Sequence, residues 1–273
     1  MSIDVSALSL LPGTTNSASA NILAILQNKG AATSGNPITA LTTALSQEAK
    51  SVALVAKQPV TQQDIAAFRA AVAKAKTPAE LFANPQARKV LLTANGLGDQ
   101  AQFGALATKA LLSDTSKTGS LASKLADPRW LSVAKTYDFA NQGLAVLKKA
   151  GVIDTIANGY AEVQWRQTLD SSTPGLSNAI DFRSRASTIT SVDQILGDST
   201  LRKVVTTALG IPEQFAIQPL PTQEAAIASR IDISKFKNKA FVEQFTRRYL
   251  VAAGAAASDG GISTASGSAS LLA

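Results

Sequence analysis

Asp127 stands directly before Pro128-Arg129-Trp130, and Asp114 lies thirteen residues upstream. Two carboxylates gathered at one site can divide general acid and general base work. A carboxylate before proline at a helix start also accepts the free N–H groups of the first turn, and Asp127 is expected to be such a cap. Gly96-Leu97-Gly98 raises phosphate cradling, but a phosphate loop follows a strand and opens a helix. Here the glycines follow a predicted helix and read as its stop. The third candidate is a pair of cations, Arg88-Lys89, that recurs as Arg202-Lys203, one turn inside a predicted helix in both places. Arg88, Lys89, Arg202 and Lys203 are therefore the candidate partner-contact residues. No residue is assigned a catalytic, cofactor-binding or metal-binding role, and no enzyme activity is expected.

The 273 residues include no cysteine and no histidine. That removes disulfides, thiolate nucleophiles, Cys/His metal sites and histidine-based triads. The net charge is +7, but the densest basic groups (Lys148-Lys149, Arg183/Arg185, Lys235/Lys237/Lys239, Arg247-Arg248) are short and far apart. Nucleic-acid binding needs cations clustered on one face, so these read as solvated helix surfaces. No apolar run approaches the ~20 residues that span a bilayer, and no membrane span is expected. The start, MSIDVSALSLL, carries Asp4 where a secretory signal would carry basic residues, so no such signal is expected.

The elements that must carry these residues are helical. Hydrophobic residues make up 45% of the chain but aromatics only 5%, which suits close helix packing. Residues 1–36 are expected to be a flexible segment with one short helix at 20–29. Pro37 is a first-turn proline for the next helix, which Pro59 ends. Thr61-Gln62-Gln63-Asp64 resembles a capping box for the helix after it. Asn84-Pro85 opens a helix that Gly96 stops, and Asp198 opens one that Gly210 stops. Two helices broken near Gly151, and another after Thr173-Pro174-Gly175, lie between. No segment shows a sustained period-2 alternation. The fold class is all-α, with a body over 37–253 and a Gly/Ala/Ser-rich tail, 254–273, expected to be disordered. Trp130, Tyr160 and Trp165 are expected in the core.

A diverged repeat organises this body. Residues 77–103 lie over 191–217 at a constant offset of 114, with seven of 27 positions identical. The match resumes at an offset of 111, where 125–139 face 236–250. The expectation is two repeat units, 77–139 and 191–250, with Trp130/Tyr137 and Phe241/Phe245 in equivalent core positions.

The runs IANGYAEVQWRQTL, LSNAIDFRSRAS and SVDQILGDSTLRKVVTTALGIPEQFAI, ending in FVEQFTRRYL, resemble a bacterial family of unknown function. That family is common in alphaproteobacteria and frequently encoded among flagellar genes. Its most specific stretch, Leu-Arg-x-Val…Ala-Leu-Gly-Leu-Pro, is matched at 201–212 with Ile211 in place of leucine. An Ala-x-x-x-Arg helix is matched at Ala179–Arg183, and a terminal Phe-x-x-Arg-Tyr-Leu at 245–250. The resemblance implies no catalytic residue. It implies a structural or accessory part of the flagellum, exported or export-associated, whose partners are flagellar proteins. The absence of cysteine and the Ala/Ser/Thr-rich composition agree with export through a type III channel. The alternative expectation is a cytoplasmic helical adaptor or chaperone.

Overall fold

The computed structural model of the chain describes residues 36–265. Every regular element among them is helical, with no strand. The first four helices each open on proline: α1 (Pro37–Ala56), α2 (Pro59–Lys74), α3 (Pro78–Ala83) and α4 (Pro85–Ala94). A first-turn N–H has no partner in a helix, so proline loses nothing there and its φ is already helical. Asn84 Oδ1 accepts from the Gln86 and Ala87 N–H groups at 2.9 and 3.0 Å, the expected cap of α4. Thr77 Oγ1 accepts from Glu80 N while Glu80 Oε2 accepts from Lys76 N, a reciprocal box at the start of α3. The expected box at Thr61–Asp64 is not formed. Pro59 starts α2 two residues earlier, on Gln58 with no side-chain cap, and Thr61 is buried inside the helix. Asp64 is released for a tertiary role.

Gly96, at φ +76°, ends α4. A 3-10 turn (Gly98–Gln100) leads to α5 (Gly104–Leu111), α6 (Leu121–Lys124) and α7 (Arg129–Tyr137). Asp138 then adopts a left-handed conformation, φ +44°, and turns the chain into α8 (Phe139–Gln142) and a 3-10 stretch (Gly143–Lys148). The break expected near Gly151 is there, as the left-handed cap of α9 (Val152–Leu169). After Gly175 come α10 (Leu176–Arg185), α11 (Val192–Gly197), α12 (Ser199–Ala208), α13 (Leu220–Ala228) and α14 (Lys239–Ala265). Short 3-10 turns at 186–188, 213–217 and 233–237 join them. The last helix runs on into the stretch expected as a disordered tail, because alanine, the best helix former, fills its continuation. The helix expected at 20–29 lies outside the described residues.

From Pro37 on, the described chain clusters as one compact unit around two apolar cores. One gathers Phe68, Phe82, Val90, Trp130, Phe139 and Tyr160; the other gathers Trp165, Phe182, Val204, Phe236, Phe245 and Tyr249. Burying each such side chain contributes roughly 1.5–3 kcal/mol. Rings interlock within each, with Phe82 edge-on to Phe139 at 4.9 Å and Phe182 edge-on to Phe236 at 5.3 Å. Chain order does not follow the cores. The first helix, α1, places Leu41, Ala44 and Val55 in the second core. Helix α9 gives Tyr160 to the first and Trp165 to the second, and it packs along both α4 and α1. Its Gly159 permits this: a Cβ there would stand 3.0 Å from the Ala94 carbonyl oxygen.

Candidate functional site

The four residues expected to meet a partner divide by chemistry. Arg88 turns inward, donating from Nε to the Ala101 carbonyl (2.9 Å) and from Nη1 to the Phe82 carbonyl (2.6 Å). Arg202 donates from Nη1 to the Leu196 carbonyl at 3.2 Å. Both guanidiniums thus tie a helix to the one before it. Lys89 and Lys203 are exposed. Lys89 Nζ pairs with Asp64 at 3.0 Å and lies 6.0 Å from the centre of the Tyr160 ring. The pairs sit on α4 and α12, helices of different cores, and no hydrogen bond or ion pair joins them among the described residues.

Asp64 is the hub of a small polar cluster, taking hydrogen bonds from Tyr160 Oη and Gln86 Nε2 besides the Lys89 pair. Its burial opposes ionisation, but the Tyr160 and Lys89 bonds prevail and hold its carboxyl below the usual range. Burial and the same carboxylate push the Tyr160 phenol well above its ordinary range.

The largest charge assembly was not legible in the residue spacing. Asp198 is fully buried, and its Oδ2 lies 2.6 Å from Arg185 Nη1 and 3.2 Å from Arg129 Nε. Arg129 also binds Asp127 (2.6 Å), lies 3.6 Å from Asp99 and donates to the Gly96 carbonyl. Arg185 continues to Asp181, which meets Arg166 Nη1 at 2.8 Å. Arg166 in turn lies 3.7 Å from Glu162. A relay of alternating charge therefore runs from Asp99 to Glu162. Burial alone would raise Asp198, but the Arg185 bond and the Arg129 and Arg185 charges hold it below the carboxylate range. Burial would lower Arg129 and Arg185; their Asp partners raise both instead.

Such groups are poor acid–base catalysts near neutrality, since neither the shifted carboxylate nor the guanidiniums change charge there. Their geometry is that of a fastening. Ser199 Oγ donates to Asp99 Oδ2 at 3.1 Å, and Gly197 presses on the Ala126 carbonyl so closely that a Cβ would stand 1.9 Å from its oxygen. The segments 96–99 and 126–129 are clasped to 197–199. Asp198 caps its helix, as its spacing predicts, its Oδ1 accepting from Thr200 and Leu201 N; Asp127 stands one residue before the N-cap position, which Pro128 holds, and its Oδ1 accepts from Arg129 N. What the spacing does not reveal is the work of each second carboxylate oxygen. Among the described residues no group of three or more acidic side chains is placed to hold a metal ion, and no helix is long and apolar enough to cross a membrane.

No curated protein matches this chain. The crystal structure of protein AGR_C_984 from Agrobacterium tumefaciens is similar in fold, with a TM-score of 0.63 at 23% identity, over 89% of this chain and 96% of that one. A family model described as a protein of unknown function, DUF1217, matches residues 94–242. The resemblance read from the motifs at 179–250 thus resolves to a family, and the chain belongs to the DUF1217 family of proteins of unknown function.

Proposed function

We propose that this protein is a non-enzymatic structural or accessory part of the bacterial flagellum, acting by contact with other proteins through a body built from a duplicated unit. The observation that carries the non-enzymatic reading is the use of the reactive groups. The carboxylates and guanidiniums with the most perturbed surroundings are joined to one another and to helix ends. The flagellar setting rests on the resemblance, and the Arg-Lys pairs remain its candidate contacts through the exposed Lys89 and Lys203.

Shared bonding supports the duplication. Thr77 and Ser191 cap their helices in the same way, as do Asn84 and Asp198. Arg88 reaches the Phe82 carbonyl and Arg202 the Leu196 carbonyl, six residues back in each case. Gly96 and Gly210 both stop helices at positive φ, and Leu97 N and Ile211 N both close back five residues, onto Leu92 and Thr206. The element order after these stops also repeats, a 3-10 turn, a helix, a short helical piece and a closing helix.

The test is fractionation of the native bacterium and of a strain lacking the flagellar export gate, probing cells, medium and purified basal bodies. Gate-dependent presence in basal bodies or medium is expected. An unchanged cytoplasmic pool in both strains would overturn the flagellar reading in favour of a cytoplasmic adaptor.

A further inference from the structure

The repeated element order breaks at one place. In the first half, α5 packs against α7 around buried Ala107, Leu111 and Trp130. In the second half, α13 and α14 hold the corresponding places in the chain and make no comparable contact. Beside α14, walled on the other side by the 228–235 segment, lies a hollow of about 550 Å³, with Leu209, Ile231, Phe241 and Phe245 among its lining residues. This volume can take an aromatic side chain or a pair of aliphatic ones.

The rest of the lining is polar except for Ala228, and three of its residues are cations. Arg230, Lys235 and Arg248 are exposed at this hollow. Arg230 donates to the Ala226 carbonyl at 2.7 Å and Lys235 lies over the Phe241 ring. Neither these two nor Arg248 makes an ion pair within 4 Å among the described residues. The single acid of the lining, Asp232, already accepts from Ser234 N at 3.0 Å. Three cations without a salt bridge within 4 Å therefore flank a hollow of mixed polar and apolar lining, with Lys235 also close enough to act on the Asp232 charge.

We propose that this cleft between α14 and the 228–235 segment is the docking site for an acidic amphipathic segment of a partner protein. The inference rests on the reading of this chain as a protein-contact part and names the chemistry of the contact. An apolar side chain of the segment fills the hollow beside α14, and its flanking carboxylates meet Arg230, Lys235 and Arg248. This is recognition of a helix in a groove, with apolar anchors for affinity and charge for selection. A second copy of this chain is disfavoured as occupant, because its net charge of +7 brings like charges to a basic rim. A nucleic-acid backbone would ask for a stripe of cations along a surface, whereas here they flank a concavity with apolar residues in its lining.

The experiment selects a phage-displayed library of random 16-residue peptides on the full chain. The recovered peptides are then synthesised and titrated against three proteins. These are the wild type, a charge-reversed variant (Arg230→Glu with Arg248→Glu) and a filled variant (Gln244→Trp). Gln244 lines the hollow and is exposed, as are both arginines, so the variants are expected to fold, which circular dichroism and the unfolding midpoint check. Net-negative peptides with apolar residues at i, i+3 or i+4 are expected. Binding should weaken with salt and fall about tenfold or more in both variants. No enrichment, enrichment of neutral or basic peptides, or affinity untouched by both variants would overturn the proposal. So would concentration-dependent dimerisation of the wild type that the charge reversal abolishes. The fractionation judges the flagellar reading separately. A silent cleft in a protein still found in basal bodies removes the docking site alone.

Discussion

Asp198 Oδ2 lies 3.2 Å from Arg129 Nε, joining a helix cap of the second half to a helix start of the first. The same oxygen takes Arg185 at 2.6 Å, and Asp198 is fully buried. One carboxylate thus begins α12 and gives each of two guanidiniums a further anion, beside Asp127 on Arg129 and Asp181 on Arg185. Removing one member of a buried ion network exposes the others to an uncompensated desolvation cost.

Asp198→Asn should therefore keep the cap and lose the fastening. Asparagine is as good an N-cap as aspartate, so the loss reports the charge, at about 3–5 kcal/mol. Asp198→Ala should lose roughly 1 kcal/mol more. Urea unfolding followed by circular dichroism measures both. A midpoint unmoved by Asp198→Asn would mean that the buried charge contributes nothing.

The same pair sets an acid limit. Asp198 and Asp64 are held below the ordinary carboxylate range in the fold, so the unfolded chain binds protons first as pH falls. Their contribution is present above about pH 4 and lost on further acidification. The stability gap between wild type and Asp198→Asn should shrink from pH 7 to pH 3. A constant gap would exclude the carboxylate charge as its origin.

An alkaline limit should mirror it. Tyr137, Tyr160 and Tyr249 are the three tyrosines of the chain, and burial raises all of them. The fold keeps each phenol protonated while the unfolded chain releases its proton near pH 10, so stability is lost as pH rises through that value. Absorbance at 295 nm should show less phenolate in the native protein than in the unfolded chain at pH 10. A normal titration of one tyrosine per chain would place that ring in water.

Two glycines should respond to alanine by different amounts. At Gly197 the added Cβ meets the Ala126 backbone, which has no flexible side chain to move aside. A cost of about 3 kcal/mol or more is expected there. At Gly210, φ +65° with open space around it, only backbone strain acts, about 1–2 kcal/mol. Thermal unfolding of both variants orders them, and equal shifts would contradict the close approach.

Arg88→Met should cost about 2 kcal/mol, since the Ala101 and Phe82 carbonyls lose their donor. Lys89→Ala should cost less than about 1 kcal/mol, because its pair with Asp64 is half in water. If Arg88 served a partner alone, its replacement would leave the unfolding midpoint in place.

What the sequence alone determined is local. Prolines at 37 and 85, side-chain caps at Asn84 and Asp198, and glycine stops at 96 and 210 act within four or five residues, so their spacing is enough to read them, whereas Pro59, read only as the end of one helix, also opens the next. The all-α class, the helix break at Gly151, the burial of Trp130, Tyr160 and Trp165, and the family motifs at 179–250 were legible on those terms. Asp64 was misread as part of a cap, because its partners Tyr160, Gln86 and Lys89 come from other helices. The tertiary structure decided which second oxygen of each capping aspartate meets an arginine and which apolar stripe faces which core. It also sent α1 into the second core and left a charged hollow between α14 and the 228–235 segment. These follow from helices brought together across dozens of residues, where distance in space has no counterpart in spacing along the chain.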